Sequence, residues 1–420
     1  MTNFFKQMSF LSKTCSNYIE KRTKVTLLGT SLLNEAFISF FGLMPFILRK
    51  DLLASAFQIS LFTMVKPAVA VLSFYWSARL VRSRSSLRNN MVIAGVLARV
   101  PFLFFVFFDS VWYMIFASAV YMLFSRAAIP SWMEILRLNL EKPVRDRLFS
   151  LSSILGYVEC IVIAIGLGSL LDSYQSFWKI FFVFSTFLGL IGVFLQLRTP
   201  ILLDDTETKK PLNFRGLIKP WKEGMALIKQ RPDFAKFQLG TNLSGFGIML
   251  AIPASALFYA DTLMLSHTEM TIGRYIFMGL GFVLFSPIWV KAMQKFTINF
   301  LMGFVCLGFA LFPFFISLAL LSKFSIYIAF FSYGITQAGS HLLWNLSGPT
   351  FAGKEDNSAK YTGVNVLMVG MRGIVAPLLG GLLCEIFSPL AVFYIAIAIC
   401  LSGCFCMFSK KIFPVEEIPY

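Results

Sequence analysis

From Val25 onward the chain alternates long apolar runs with short polar breaks. Runs of mostly apolar residues fall at about 25–48, 55–78, 89–108, 110–132, 148–171, 176–197, 236–259, 271–291, 297–321, 324–347, 361–384 and 387–408. A helix needs about 20 such residues to cross a hydrocarbon core of about 30 Å. The runs are continuous and do not alternate with period two, which selects helices over a closed barrel. The pattern predicts an all-α membrane protein with about twelve transmembrane helices. The first 24 residues are mixed and polar, with Lys6, Lys13, Lys21, Arg22 and Lys24. The run after them is too long for the apolar core of a signal peptide and long enough to span.

One long polar stretch, Arg198 to Asp233, divides the runs into six and six. Inside it Leu217, Trp221, Met225 and Ile228 recur at helical spacing, with Lys219, Lys222, Glu223 and Lys229 between them. That spacing predicts an amphipathic helix on the membrane surface or packed against the bundle. The expected organisation is an N-terminal six-helix half over 1–197, a cytoplasmic central loop with that helix over 198–235, and a C-terminal half over 236–420. The halves also repeat one another. LGT at Leu28–Thr30 returns at Leu239–Thr241, VLSFYW ending at Trp76 returns as VLFSPIW ending at Trp289, Trp132 returns as Trp344, and GSLL at Gly168 as GGLL at Gly380. The shifts are nearly constant and close to half the chain, so two pseudo-symmetric six-helix bundles are expected.

Composition agrees with lipid as the solvent. Hydrophobic residues make up 57% and charged residues 14%, against about 25% charged in a soluble domain; mean hydropathy is +0.74. The net charge of +16 does not point to nucleic acid, because the basic residues punctuate apolar runs and form no single face. Alternate loops, counted from the N-terminus, carry 28 of the 37 lysines and arginines and the opposite loops five. Positive charge gathers on the cytoplasmic side, so both termini are expected in the cytoplasm, in a plasma or bacterial inner membrane. The seven cysteines include no CxxC pair, and six lie in apolar runs; neither a disulfide framework nor a zinc site is indicated. With only His267 and His341, no HExxH spacing and no GxxxxGK[ST] motif, no metal, cofactor, intramembrane enzyme or primary pump is expected.

An ionised side chain at the bilayer centre costs about 2.5–3.5 kcal/mol on insertion scales, so such residues face a cavity or a partner. Glu35, Lys66, Arg99, Arg126, Glu159 and Arg372 all fall inside spans. So do Asn242, Gln337, His341, Asn345 and Asn365. Gln337, His341 and Asn345 are spaced by four and share a helix face. Two explanations stand side by side: a polar solute site with proton-coupling acids, or structural ion pairs among Glu35, Lys66 and Glu159 with amides bonding helix to helix. Four intramembrane cations against two acids lean toward an anionic or zwitterionic solute.

Two six-helix halves, a central loop and cytoplasmic termini together resemble the major facilitator superfamily. The stretch from Trp76 to Arg88 is similar to that family's G-x-L-x-D-R-x-G-R-R loop; Arg79, Arg82, Arg84 and Arg88 keep its basic character as a gating loop, while the aspartate and both glycines are missing. The loop from Glu141 to Ser150, EKPVRDRLFS, resembles the family's E-x-R-G-R type, with Asp146 in place of a glycine. The drug-antiporter signature G-P-x-x-G-G is absent from span five, and a similar APLLGG sits at Ala376–Gly381. The resemblance implies that spans one, four, seven and ten line a central cavity, with two, five, eight and eleven beside them. Glu35, Lys66, Arg126, Glu159 and Arg372 then reach the interior, and Arg99 in span three packs between helices. The expected function is secondary active transport of a small polar solute by alternating access, with Glu35 and Glu159 as proton-coupling acids. The remaining candidates, Arg372, Arg126, Lys66, Asn242, Gln337, His341, Asn345 and Asn365, would bind the solute, in a monomer surrounded by lipid. Facilitated diffusion or exchange, drug efflux, and a membrane sensor or assembly protein that does not transport are the alternatives.

Overall fold

A computed structural model describes residues 2–80, 84–174, 176–200, 219–352 and 358–409. Every regular element among them is helical. The order is α1 (Thr2–Lys50), α2 (Ala56–Leu80), α3 (Arg84–Leu103), α4 (Val111–Asn139), α5 (Lys142–Ser173), α6 (Phe177–Gln196), α7 (Lys219–Gln230), α8 (Pro232–Leu257), α9 (His267–Thr271), α10 (Met278–Met293), α11 (Ile298–Ser317), α12 (Phe324–Ala352), α13 (Ser358–Ile386) and α14 (Pro389–Phe408). A π-turn over Ile272–Phe277 joins α9 to α10 into one helical stretch. Ten stretches among the described residues are long and apolar enough to cross a membrane. α2 and α12 occupy the two other expected runs; the apolar part described in α2 is Ala56–Val69. The repeated stretches fall on matching helices, α1 with α8, α2 with α10, α4 with α12 and α5 with α13.

α1 starts at Thr2, far ahead of the apolar run expected to open it. No glycine or proline interrupts residues 2–28, and local pairs support the polar turns. Glu20 and Lys24 form an i,i+4 ion pair at 2.5 Å, and the Arg22 guanidinium lies 5.3 Å from the centre of the Tyr18 ring. The amphipathic helix expected in the central segment is α7. Its Leu227 and Ile228 pack against an apolar core while Met225 stays exposed. Leu217, from the same expected stripe, lies outside the described residues.

The chain forms two compact units that do not follow chain order. The first comprises Met1–Leu43, Leu72–Ile163 and Tyr174–Pro211. Its core is a cluster of rings, Phe37, Phe40, Phe102, Phe105, Tyr121 and Phe182, with Phe40 and Phe182 at 4.5 Å and Phe37 and Tyr121 at 4.8 Å between centroids. Phe40 and Phe182 meet edge to face, an arrangement worth about 0.5–1.5 kcal/mol beyond area burial. The Thr30 hydroxyl donates to the Gly192 carbonyl at 3.3 Å, where α6 passes α1.

The second unit comprises Met44–Val71, Ala164–Ser173 and Leu212–Tyr420. It therefore contains α7–α14 together with the last turns of α1 and α5 and the first half of α2. Apolar side chains from α8, α11, α12, α13 and α14 form its core, with Val305, Cys306, Leu343 and Cys400 fully buried. Lipid offers no hydrophobic drive between helices, so close packing over small residues does that work. A Cβ on Gly281 of α10 would strike the Phe331 carbonyl of α12, and one on Gly334 of α12 would strike the Met278 carbonyl of α10. Backbone atoms cannot step aside as a flexible side chain can. Gly281→Ala should therefore lower thermal stability in detergent by about 1–3 kcal/mol, the usual cost of overpacking. Gly166→Ala, where nothing lies within 4 Å, should leave the melting temperature unchanged; equal melting of both variants and wild type would refute the contact.

Candidate functional site

Two polar centres lie in the helix interiors, one in each unit. In the first, Glu35 projects from the middle of α1 toward α5. Gly156 makes room for it, since a Cβ there would lie 2.9 Å from the carboxylate Oε2. One turn on, Cys160 donates its thiol proton to Glu35 Oε1 at 3.2 Å. Ser39 is in hydrogen-bond contact with the same sulfur at 2.8 Å and donates to the Glu35 backbone carbonyl at 2.7 Å. Glu159 is half-buried on the same face of α5, and the two carboxylates repel one another. Its Oε2 is buried with no hydrogen-bond partner. Among the described residues neither acid has an ion-pair partner, so the structural ion-pair reading of Glu35 and Glu159 finds no support there.

Arg99 behaves as a packing residue. It is buried, donates to the Gly95 carbonyl at 2.8 Å and to the Asn34 side chain, and lies against Gly189 of α6. Arg126 on α4 is exposed. Of the basic row that runs from the end of α2 into α3, Arg88 is exposed; Arg82 and the side chains of Arg79 and Arg84 lie outside the described residues.

The second centre is built on α8 and α13. The Arg372 guanidinium lies flat on α8, donating from Nη1 to the Thr241 carbonyl. Gly245, one turn beyond Thr241, supplies the groove, because any Cβ there would overlap the guanidinium. Arg372 Nε is buried without a partner, and among the described residues no carboxylate pairs with this side chain. Nearby on α8, Asn242 donates to the Gln238 carbonyl at 2.7 Å. Asn365 accepts a hydrogen bond from Gln238 and donates to Ser347 at 2.6 Å. All three of these partners are buried, which gives Asn365 the geometry of a bond between helices.

The face predicted on α12 is present and extends one turn further back. Gln337 donates to the Tyr333 hydroxyl at 2.6 Å, and His341 and Asn345 are exposed. The His341 ring meets Phe282 edge to face at 5.9 Å. Lys66 of α2, itself exposed, is close enough to act on His341 electrostatically.

A third cluster escaped the sequence reading. It joins Asp51, Asp172 and His267 with the Arg49–Asp261 ion pair, whose Nη2–Oδ2 separation is 2.7 Å. The partners are 95 to 216 residues apart, and a count of loop charges holds no signal for pairing at that range.

The described residues contain no group of three or more His, Cys, Asp or Glu side chains able to hold a metal. Comparison with known proteins gives the family. The description Major Facilitator Superfamily belongs to the family model that matches residues 27–358. No curated protein matches the chain by sequence. Among solved structures, a point mutant of the nucleoside transporter NupG is similar at a TM-score of 0.73 and 14% identity, covering 93% of this chain and 100% of that one. A POT family transporter in complex with 5-aminolevulinic acid gives 0.72 and 13%, covering 93% and 96%. The inward-open xylose transporter XylE from E. coli gives 0.65 and 14%, covering 96% and 97%. At such identities these neighbours establish the fold, and with the match over most of the sequence they carry one conclusion: this multi-pass membrane protein belongs to the Major Facilitator Superfamily, and is a transporter of small solutes and not an enzyme.

Proposed function

We propose that the protein is a proton-coupled symporter for a small anionic or zwitterionic organic solute, held on Arg372. The observation that carries this reading is the state of that side chain: a guanidinium laid on α8, with a buried Nε unpartnered and no carboxylate beside it among the described residues. A charge in a helix interior needs a counter-charge, and a bound carboxylate or phosphate would supply it in the forked geometry that guanidinium favours. Asn242, Gln337, His341, Asn345 and Lys66 of the same unit would offer further polar contacts, and Arg126 stays a solute-binding candidate in the other unit. Transporters of nucleosides and of xylose share the fold, as does one bound to 5-aminolevulinic acid; the solute class therefore rests on the charges of this chain. Alternating access would move the halves 1–197 and 236–420 about the site, with 198–235 linking them in the cytoplasm.

Arg372→Ala should reduce uptake at least about tenfold to a hundredfold, the scale of a lost charge-assisted hydrogen bond, in protein that remains inserted and folded. Arg372→Lys should keep the charge yet recover little affinity, since the fork is gone. Undiminished uptake in the alanine variant would remove Arg372 from the site.

Orientation follows the basic loops. With both termini cytoplasmic, single cysteines placed in 204–231 of a cysteine-free variant should resist impermeant thiol reagents in right-side-out vesicles, while those in 261–269 should react. The reverse pattern would invert the topology.

Coupling is assigned to Glu35 and Glu159, the interior carboxylates with no cation beside them among the described residues. Glu35 takes the first place because it lies on α1, with its proton acceptor bonded to Cys160. Glu35→Gln should preserve solute exchange down a gradient and abolish uphill uptake driven by a pH difference. Uptake by the wild type that ignores both pH and protonophore would replace symport with facilitated diffusion or exchange.

A further inference from the structure

The last turns of α1 and α5 carry a charge cluster that the solute and proton sites do not use. At its centre the His267 ring is buried, with a side chain 6% exposed. Its Nδ1 lies 3.0 Å from Asp172 Oδ1 and its Nε2 lies 3.0 Å from Asp51 Oδ2. Asp172 is held from the other direction by the backbone N–H of His267 at 2.7 Å, and by the N–H and hydroxyl of Thr268 at 3.0 and 2.7 Å. Phe46 packs edge to face on the ring at 5.6 Å. Gly168, one turn before Asp172, allows this approach, because a Cβ there would lie 2.7 Å from Thr268 Cα.

A neutral imidazole has one N–H and one lone pair. Between two carboxylates it can donate to one side only, and it sets its lone pair against an anion on the other. An imidazolium donates on both sides. The neighbouring charges have other partners. Arg49 pairs with Asp261, and Lys50 donates to the Leu265 carbonyl at 2.5 Å. Glu269 completes the capping box with Ser266 and lies 3.9 Å from Lys323. Glu385 of α13 accepts from the Phe57 amide at 3.2 Å. An imidazolium at His267 would be a cation shared by Asp51 and Asp172.

We propose that His267 is a proton-operated latch. Protonated, it ties the end of α5 and the turn after α1 to the start of α9. Without that proton it releases one of the two aspartates, and this end of the helices loosens. Both bonds are donated only by the imidazolium, so the latch closes as pH falls at this face and opens as pH rises. That the latch times solute access rests on the transport reading above; the latch itself does not.

Hydrogen–deuterium exchange on the purified full-length chain, corrected for intrinsic rates, tests it without solute or gradient. Between about pH 8.5 and about pH 5.5, an interval that brackets the pKa of free histidine, amides in 164–174 and 261–270 of the wild type should become roughly tenfold more protected, the scale of one charge-assisted hydrogen bond. His267→Gln and Asp51→Asn should each flatten that dependence, while α14 exchanges equally in all three proteins and reports an intact fold. Wild-type protection that is independent of pH overturns the latch, as does the same dependence surviving in His267→Gln. The wild-type titration decides alone should either variant fail to fold. A chain lacking proton-driven uptake would still show the effect, so the latch and the symport reading fail separately.

Discussion

Hydrocarbon gives a polar group nothing to bond with, and the rest of this structure follows from that constraint. Backbone amides are satisfied inside helices, which is why every regular element described here is helical. Side chains then settle how the helices meet. Threonine and serine hydroxyls turn back onto their own helices, as Thr186 does to Phe182 and Ser244 to Gly240. Glycines let backbones approach until a neighbouring carbonyl lies where a Cβ would go, as between α10 and α12.

The spans were legible because lipid imposes a length and a polarity that a linear sequence displays directly, and ten of the twelve expected runs are helices long and apolar enough to cross among the described residues. The four short matches at nearly one offset lie on α1 and α8, α2 and α10, α4 and α12, and α5 and α13. Local electrostatics was less visible. The helical extension of α1 to Thr2 runs through polar turns, with the Glu20–Lys24 pair among them, which a reading of polarity treats as loop. The candidate residues Glu35, Glu159 and Arg372 were found because a charge in an apolar run stands out, but their settings were not. Nothing linear says that Gly156 makes room for Glu35 or that Gly245 makes the bed of Arg372. Those glycines look like any others until the facing helix is present. The cluster at His267 was the least legible, since its members sit at span ends, where charges are expected and unremarked.

Paired and unpaired charges are distributed unevenly between the helix ends and the helix interiors. At helix ends, where water is near and pairing matters least, charges have partners: Arg49 with Asp261, Lys179 with Asp109, Arg231 with Asp233. In the helix interiors, where an uncompensated charge costs most, Arg99, Arg372 and Glu159 keep buried polar atoms without partners; Arg99 already donates two hydrogen bonds to its neighbours, to Gly95 and Asn34. A chain optimised only for stability would have the opposite arrangement. An interior charge left open is tolerable when its partner is supplied from outside and must leave again, because a permanent ion pair would compete with that partner. The glycine beneath Arg372 and the glycine beside Glu35 fix these groups in place without neutralising them. On the proposed transport reading, the counter-charges that complete both centres belong to what is carried: an anion at the guanidinium and a proton at the carboxylates.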